Sequence, residues 1–260
     1  MIRQPYHLVQ LSPWPFTSAL AALALFAALG DWFHTKNLMP LLMTLSLILL
    51  NMYTWWRDIV RESTYMGKHT TIVVNGLKVG MIVFITSEVI FFLGFFWAFF
   101  HSSLAPSIEI GCSWPPLALN PIDPFSVPLL NTAILLSSGI TVTWAHHAIM
   151  ENNSQDTNTA MYLTIFLGMY FTFLQAQEYK AATFSISDSI FGSTFYVATG
   201  FHGLHVLVGT SALLISFLRM KQAHFSQTHH FGLEASIWYW HFVDVVWIFL
   251  YMCIYWWGSM

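Results

Sequence analysis

Seven long apolar stretches alternate with short polar segments along this chain. They cover residues 15–33, 38–56, 79–100, 127–150, 159–177, 189–218 and 234–257. An α-helix rises about 1.5 Å per residue, so about 20 apolar residues cross the roughly 30 Å hydrocarbon core of a bilayer. The pattern therefore predicts an all-α fold, a polytopic membrane bundle of seven transmembrane helices.

The polar segments divide the predicted helices into two groups. The densest charge cluster of the chain lies within residues 58–78, which we interpret as an interfacial connection with a solvated loop and a short helix. It separates an N-terminal two-helix hairpin, residues 1–57, from a five-helix bundle, residues 79–260. A second long connection, residues 101–126, contains five prolines, which are incompatible with a long helix.

Composition agrees with a membrane protein and excludes several other classes. Hydrophobic residues make up 56% of the chain and charged residues only 8%, against about 25% charged in soluble domains. A net charge of −3 does not indicate a nucleic-acid partner. The N-terminus lacks the pattern of a cleaved signal or transit peptide, so we expect the first helix to insert the chain. Cys112 and Cys253 have no metal-ligand spacing, and their pairing as a disulfide stays open.

Basic residues fall mainly on one side of the predicted topology. With seven spans, the N-terminal side receives Arg3, Arg57, Arg61, Lys68, Lys78, Arg219 and Lys221, and the other side receives Lys36 and Lys180. Positive residues concentrate on the inner side of membrane proteins. The sequence therefore predicts an inner N-terminus and an outer C-terminus.

The third apolar stretch carries one charge-capable side chain, Glu88, near its middle. A carboxyl group at this depth costs several kcal/mol unless it is neutral, paired or hydrated. At similar depth the sixth stretch carries Gly200, His202, Gly203 and His205. The small glycines are expected to let another helix approach closely. We predict a hydrogen bond from Glu88 to His205, or alternatively to His202.

Other polar groups leave alternatives open. Glu88 could instead bond to the hydroxyls of Thr86 or Ser87. His202 and His205 are three residues apart and share a helix face, which is one arrangement for a metal-ligand pair. The adjacent His146 and His147 point to different faces. The residues alone favour hydrogen-bonded structural histidines over a metal site.

Two further acidic residues in the last stretch are interpreted as structural. His241 and Asp244 are three residues apart and are expected to satisfy each other. Glu234 is expected at the inner rim, where water reaches it.

Long motif blocks in this chain resemble one known family. The blocks are WWRDIVREST (55–64), ITSEVIFFLGFFWAFFHSSLAP (85–106), TWAHHAI (143–149), GSTFYVATGFHGLHVLVG (192–209) and HHFGLEASIWYWHFVDVVWIFLYMCIYWWGS (229–259). They resemble the subunit III family of mitochondrial cytochrome c oxidase, in order and over essentially the whole chain. The resemblance implies seven helices, with helices 1–2 separated from helices 3–7 by a lipid-filled cleft.

The resemblance also implies a role. Such a chain is a core, non-redox subunit of the complex that reduces oxygen and pumps protons. It has no cofactor of its own, because haem and copper lie in partner subunits I and II. Further expected partners are smaller nuclear-encoded subunits and phospholipids, and no nucleic acid. The expected location is the mitochondrial inner membrane, with the N-terminus in the matrix and the C-terminus in the intermembrane space.

Site residues follow from the same resemblance. Positions that match lipid contacts in the family are Arg61, Glu62, His69 and Arg219. Glu88 matches a buried carboxyl that reacts with hydrophobic carbodiimides in the family, and no residue is expected to be catalytic.

Two other functional classes stay in view. One is a redox enzyme that ligates haem through His202, His205 or His146. The other is a transporter that uses Glu88. The absence of an internal repeat and of paired broken helices in the sequence disfavours the transporter.

Overall fold

The structure is a computed structural model that describes residues 4–117 and 119–260. Most of these residues lie in long helices. Arg3, which entered the charge count, lies outside the described residues. The helices are α1 (Trp14–Thr35), α2 (Met39–Thr64), α3 (Thr71–Leu104), α4 (Val127–Met150), α5 (Ser154–Ala181), α6 (Ser189–Lys221) and α7 (Phe231–Leu250). A π turn, Tyr251–Trp256, and a 3-10 turn, Trp257–Ser259, continue α7, and a short 3-10 turn, Ile108–Ile110, lies between α3 and α4.

The predicted fold class is confirmed. Within the described residues, seven helices are long and apolar enough to cross a membrane, and the last of them includes the turns that continue α7. No strand occurs within the two described ranges. The lipid-filled cleft stays a prediction.

Several helices extend beyond their apolar stretches. The connection predicted over 58–78 is much shorter in the structure, because α2 continues to Thr64 and α3 begins at Thr71. In the same way α5 continues to Ala181, four residues beyond the predicted end at 177. The reason is physical: hydropathy marks only the part of a helix that suits hydrocarbon, whereas polar helix ends form the same backbone hydrogen bonds.

The chain forms two compact units, which meet in sequence between Leu77 and Lys78. In the first unit, polar bonds join the two helices of the hairpin. The Trp14 indole Nε1 donates to Asp58 Oδ2 at 2.7 Å, and Thr17 Oγ1 donates to Asn51 Oδ1 at 2.6 Å. Ala28 is the one buried residue of α1, and α2 has none. Apolar side chains therefore cover the surface of the hairpin, as is typical of helices in lipid.

Residues before α1 are also held within the first unit. Thr70 Oγ1 donates to the carbonyl of Pro5 at 2.5 Å. His7 Nε2 lies 3.4 Å from Glu62 Oε2, and the rings of His7 and His69 are 5.6 Å apart. These contacts fix the short connection between α2 and α3.

The second unit is built around α7. Trp240, Trp247 and Tyr255 are among its largest fully buried side chains. The Trp240 indole donates to Ser138 Oγ and the Trp247 indole donates to Thr132 Oγ1, each at 2.9 Å. Both indole N–H groups therefore find a partner on α4, as buried tryptophans require.

The glycines that another helix approaches closely are not the predicted ones. A Cβ added at Gly168 or Gly209 would lie 2.7 or 2.8 Å from the Trp240 ring. A Cβ at Gly200 or Gly203 would meet no described atom within 4 Å. The prediction for Gly200 and Gly203 is therefore wrong within the described residues. The reason is that Trp240 is the large residue that needs space, and α5 and α6 leave that space at Gly168 and Gly209.

Candidate functional site: a carboxyl–imidazole pair between α3 and α6

The middle of α3 and the middle of α6 each contribute one polar side chain to a common site. Glu88 Oε2 lies 2.8 Å from His205 Nε2. The Glu88 side chain is 22% exposed and the His205 side chain 11%. The structure therefore brings together the carboxyl and the imidazole that depth in the membrane suggested.

The second ring nitrogen of His205 defines its tautomer. Nδ1 lies 2.6 Å from the carbonyl oxygen of Phe201, one turn earlier on α6. A carbonyl oxygen can only accept, so Nδ1 carries a proton. Nε2 then accepts when the imidazole is neutral and donates when it is charged.

The Glu88–His205 bond consequently holds one proton in either state. A neutral imidazole requires a protonated Glu88 that donates to Nε2. A charged imidazole instead donates from Nε2 to a Glu88 carboxylate. Both arrangements have zero net charge, and this makes the pair tolerable at mid-membrane depth.

Aromatic rings surround the imidazole. The His205 ring centroid lies 5.0 Å from Phe92, 6.1 Å from Phe242 and 6.1 Å from Tyr239, with which it is stacked. Phe92 is 2% exposed and Phe242 7%. These side chains restrict water on one side of the pair and strengthen its electrostatic interaction.

The alternative partners of Glu88 bind elsewhere. His202 is 1% exposed, and its Nε2 donates to the carbonyl of Val243 at 3.2 Å. Thr86 Oγ1 donates to Ile82 O, and Ser87 Oγ donates to Phe84 O. His202 thus bonds to α7, while His205 bonds to α3, so the two imidazoles serve different contacts.

The described residues contain no group of three or more His, Cys, Asp or Glu side chains that could hold a metal ion. His146 lies 6.2 Å from His147 and 5.7 Å from His230, measured between ring centroids. His230 Nδ1 donates to the carbonyl of Ser226 at 2.9 Å. The two cysteines are free thiols.

The two acidic residues of α7 have different surroundings. Glu234 Oε2 forms an ion pair with Lys78 Nζ at 2.8 Å, which joins α7 to α3. Asp244 Oδ2 lies 3.8 Å from His241 Nδ1, too far for a hydrogen bond. Thr143 Oγ1 lies 3.3 Å from His241 Nε2.

The four residues assigned to lipid contact occur in both units. In the first unit, Arg61 is 59% exposed and lies 3.8 Å from Asp58, while Glu62 and His69 contact His7. In the second unit, the Arg219 guanidinium lies 4.5 Å from the centre of the Phe225 ring. Lipid binding at these residues stays a prediction.

The sequence interpretation missed a second buried carboxyl, Glu178. The apolar pattern ends the fifth stretch at residue 177, just before Glu178, but in the structure Glu178 lies on α5 and is 4% exposed. The signal that could have found it is the spacing of Gln175 and Glu178, which puts two polar side chains on one helix face.

The fold and the site define a multi-pass helical membrane protein with an acid–imidazole pair inside its bundle. A sequence model of the family described as "Cytochrome c oxidase subunit III" matches residues 4–259. The chain is 63% identical to "Cytochrome c oxidase subunit 3" of Lumbricus terrestris and 60% identical to that of Heterololigo bleekeri, each over 259 residues and 100% of both chains. For the protein of that name from Paracentrotus lividus the identity is 60%, over 99% of this chain and 98% of the relative.

The chain therefore belongs to the cytochrome c oxidase subunit III family, and the resemblance found in the motif blocks is confirmed.

Proposed function

We propose that this chain is a core, non-redox subunit of cytochrome c oxidase, respiratory complex IV. The observation that carries the proposal is the match to relatives of that name along their whole length at 60–63% identity. In such a complex the chain contributes to oxygen reduction and proton pumping by stabilising the catalytic subunit, proton uptake and bound lipids. Its partners are subunits I and II, smaller nuclear-encoded subunits and phospholipids.

The bonding of His205 supports a non-redox role. Both of its ring nitrogens are bonded, Nδ1 to the Phe201 carbonyl and Nε2 to Glu88. A haem or copper ligand needs a ring nitrogen with a free lone pair. This bonding agrees with a location of haem and copper in the partner subunits.

The charged residues near the helix ends support lipid binding. Arg61 is exposed in the last turn of α2. Arg219, at the end of α6, packs on the ring of Phe225. Guanidinium groups bind phosphates in a bidentate manner, so both suit phospholipid head groups.

The charge distribution supports an orientation. With seven spans, the basic residues favour an N-terminus on the inner side. For an oxidase in the mitochondrial inner membrane, this inner side is the matrix. The C-terminus then faces the intermembrane space.

The haem and copper content of this chain, after mild separation from its copurifying partners, tests the proposal. We expect both metals to stay with the partners, which should include the catalytic subunit. Stoichiometric haem or copper on this chain would contradict the proposal, and His202 and His205 would then be the first residues to substitute. Solute uptake by the isolated chain would favour the transporter instead.

A further inference from the structure

A second buried polar cluster lies at the end of the bundle where α5 ends. Asn131 Nδ2 donates to Gln175 Oε1 at 3.2 Å. Gln175 Nε2 in turn donates to Tyr255 Oη at 3.1 Å and to Glu178 Oε1 at 3.2 Å, and Tyr255 Oη donates to the same Oε1 at 2.7 Å. The cluster thus links α4, α5 and the π turn, and it ends at the Glu178 carboxyl.

The two oxygens of this carboxyl differ sharply. Oε1 accepts two hydrogen bonds, whereas Oε2 is buried without a partner among the described residues. Leaving a buried polar atom unpaired costs about 1–3 kcal/mol, and more for a charged group. Oε2 therefore needs a further partner in either protonation state.

A cavity next to Glu178 can supply that partner. Its volume is about 230 Å³. Its lining includes Glu178, Ala182, Asn120 and Thr183. A single water needs only about 10–15 Å³ of such space, so several waters fit. A hydrogen bond from Thr183 Oγ1 to the carbonyl of Asn120, at 3.1 Å, joins two segments of the lining.

The backbone of α7 is altered where it meets the cluster. Tyr255 lies in the π turn Tyr251–Trp256, and its side chain is 2% exposed. Such turns are rare and are found frequently at functional sites. Here the π turn carries the hydroxyl that contacts Glu178.

We propose that Glu178 and the adjoining cavity form a hydrated proton-binding site, distinct from the Glu88–His205 pair. In the binding step, a cavity water gives a proton to Oε2, an O–H bond forms, and the aqueous phase at this end of the bundle restores the proton to the water. Release is the reverse of this step, and no electron is transferred.

The lining favours water over other ligands. Ca²⁺ takes six to eight oxygen ligands, commonly including several carboxylates, whereas Glu178 is the one carboxylate among the described lining residues. Among the described residues, the titratable groups that interact electrostatically with Glu178 include Tyr255 from the π turn, Tyr179 from α5 and Tyr196 from α6. From α4, the cluster contains the side-chain amide of Asn131, which does not titrate.

Infrared difference spectroscopy of the membrane complex, purified through a tag on this chain, tests the inference. Spectra are recorded during a pH titration in H₂O and in D₂O. We expect a carboxylic C=O band that appears on acidification, shifts in D₂O and is absent in Glu178→Gln. Tyr255→Phe should keep the band but shift it, because Oε1 loses one donor.

Two further variants separate a hydrated site from a merely buried acid. Ala182→Leu fills the cavity and keeps the carboxyl, so we expect H/D exchange of the band to slow by about tenfold or more, since proton exchange needs water in the cavity. Glu109→Gln, which removes an exposed carboxyl from the connection between α3 and α4, should leave the band unchanged.

Two results would overturn the inference. One is a Glu178→Gln complex that retains every titrating carboxylic band. The other is an Ala182→Leu complex in which the band exchanges as fast as in the unsubstituted protein. Both results are independent of whether haem and copper copurify, so the inference and the proposed function can fail separately.

Discussion

At the scale of single residues, the Glu88–His205 pair behaves as one group. Oε2 and Nε2 share one proton, because Nδ1 donates to the Phe201 carbonyl. A side chain that can still donate to Nε2 should therefore preserve the arrangement. A side chain that cannot donate should leave a buried nitrogen unpaired.

This reasoning predicts the effect of Glu88→Gln. The new amide N–H can donate to Nε2 of a neutral imidazole, so we expect the stability to change by no more than about 1 kcal/mol. Oxygen reduction by the assembled complex should remain substantial. Turnover and thermal stability of the purified complex are the measurements. Complete loss of turnover in a correctly assembled complex would contradict the prediction.

Glu88→Ala is the matched comparison. It removes the partner and leaves His205 Nε2 unsatisfied, which should destabilise the chain by about 1–3 kcal/mol. If the alanine variant is as stable as the glutamine variant, the hydrogen bond does not hold α3 to α6.

Sequence reasoning identified the carboxyl of Glu88 and missed the buried carboxyl of Glu178 for a physical reason. Glu88 interrupts a long apolar run, so its depth and its need for a partner can be inferred directly. Glu178 follows an apolar run, at a point where the polar end of a helix and a polar loop have similar composition. Only the three-dimensional course of α5, together with the distant Tyr255, reveals that Glu178 is buried.

At the scale of helices, the number of elements followed from hydropathy, but their ends and their contacts did not. Apolar length is sufficient to count seven spans. The last residues of α2 and the first residues of α3 include polar side chains, but they are helical because the backbone hydrogen bonds of the helix continue through them. Hydropathy does not detect these backbone hydrogen bonds. Likewise, glycines that a helix needs for packing cannot be told from glycines on an open face until the opposing Trp240 is located.

The packing of Trp240 predicts different outcomes for two glycines of the same helix. Gly209→Ala places a Cβ 2.8 Å from Trp240 Cε3, so we expect destabilisation of about 1–3 kcal/mol from overpacking. Gly203→Ala meets nothing within 4 Å in the described chain. It should be neutral or stabilise the helix by up to about 1 kcal/mol.

The midpoint of thermal unfolding of this chain within the purified complex is the measurement for both variants. A lower midpoint for Gly209→Ala and an unchanged or higher one for Gly203→Ala is expected. Equal shifts for the two variants would show that helix propensity, rather than the contact with Trp240, decides the effect.

At the scale of the whole molecule, seven spans place consecutive connections on alternate sides of the membrane. With an inner N-terminus, the connection between α3 and α4 lies on the outer side. Cys112 in that connection is an exposed free thiol, whereas Cys253 is half-buried in the π turn. The native cysteines therefore provide a test of orientation without added labels.

We predict that a membrane-impermeant maleimide labels Cys112 from the outer side of intact inner-membrane vesicles. Mass spectrometry of the labelled peptides is the measurement, and Cys112→Ser is the control that should abolish this label. Detergent-solubilised complex serves as the reference for full accessibility. Labelling only when the reagent reaches the matrix side would contradict the predicted topology.

The proton between Glu88 and His205 also has an electrical property. A voltage of 100 mV does about 2.3 kcal/mol of work on a unit charge that crosses the entire membrane. The hydrogen bond is only 2.8 Å long between its heavy atoms, at most about a tenth of a hydrocarbon core of about 30 Å. The voltage therefore changes the energy difference between a proton on Oε2 and a proton on Nε2 by at most about 0.2 kcal/mol, which is less than thermal energy. The position of the proton within the pair is thus nearly the same in an energised and in a discharged membrane.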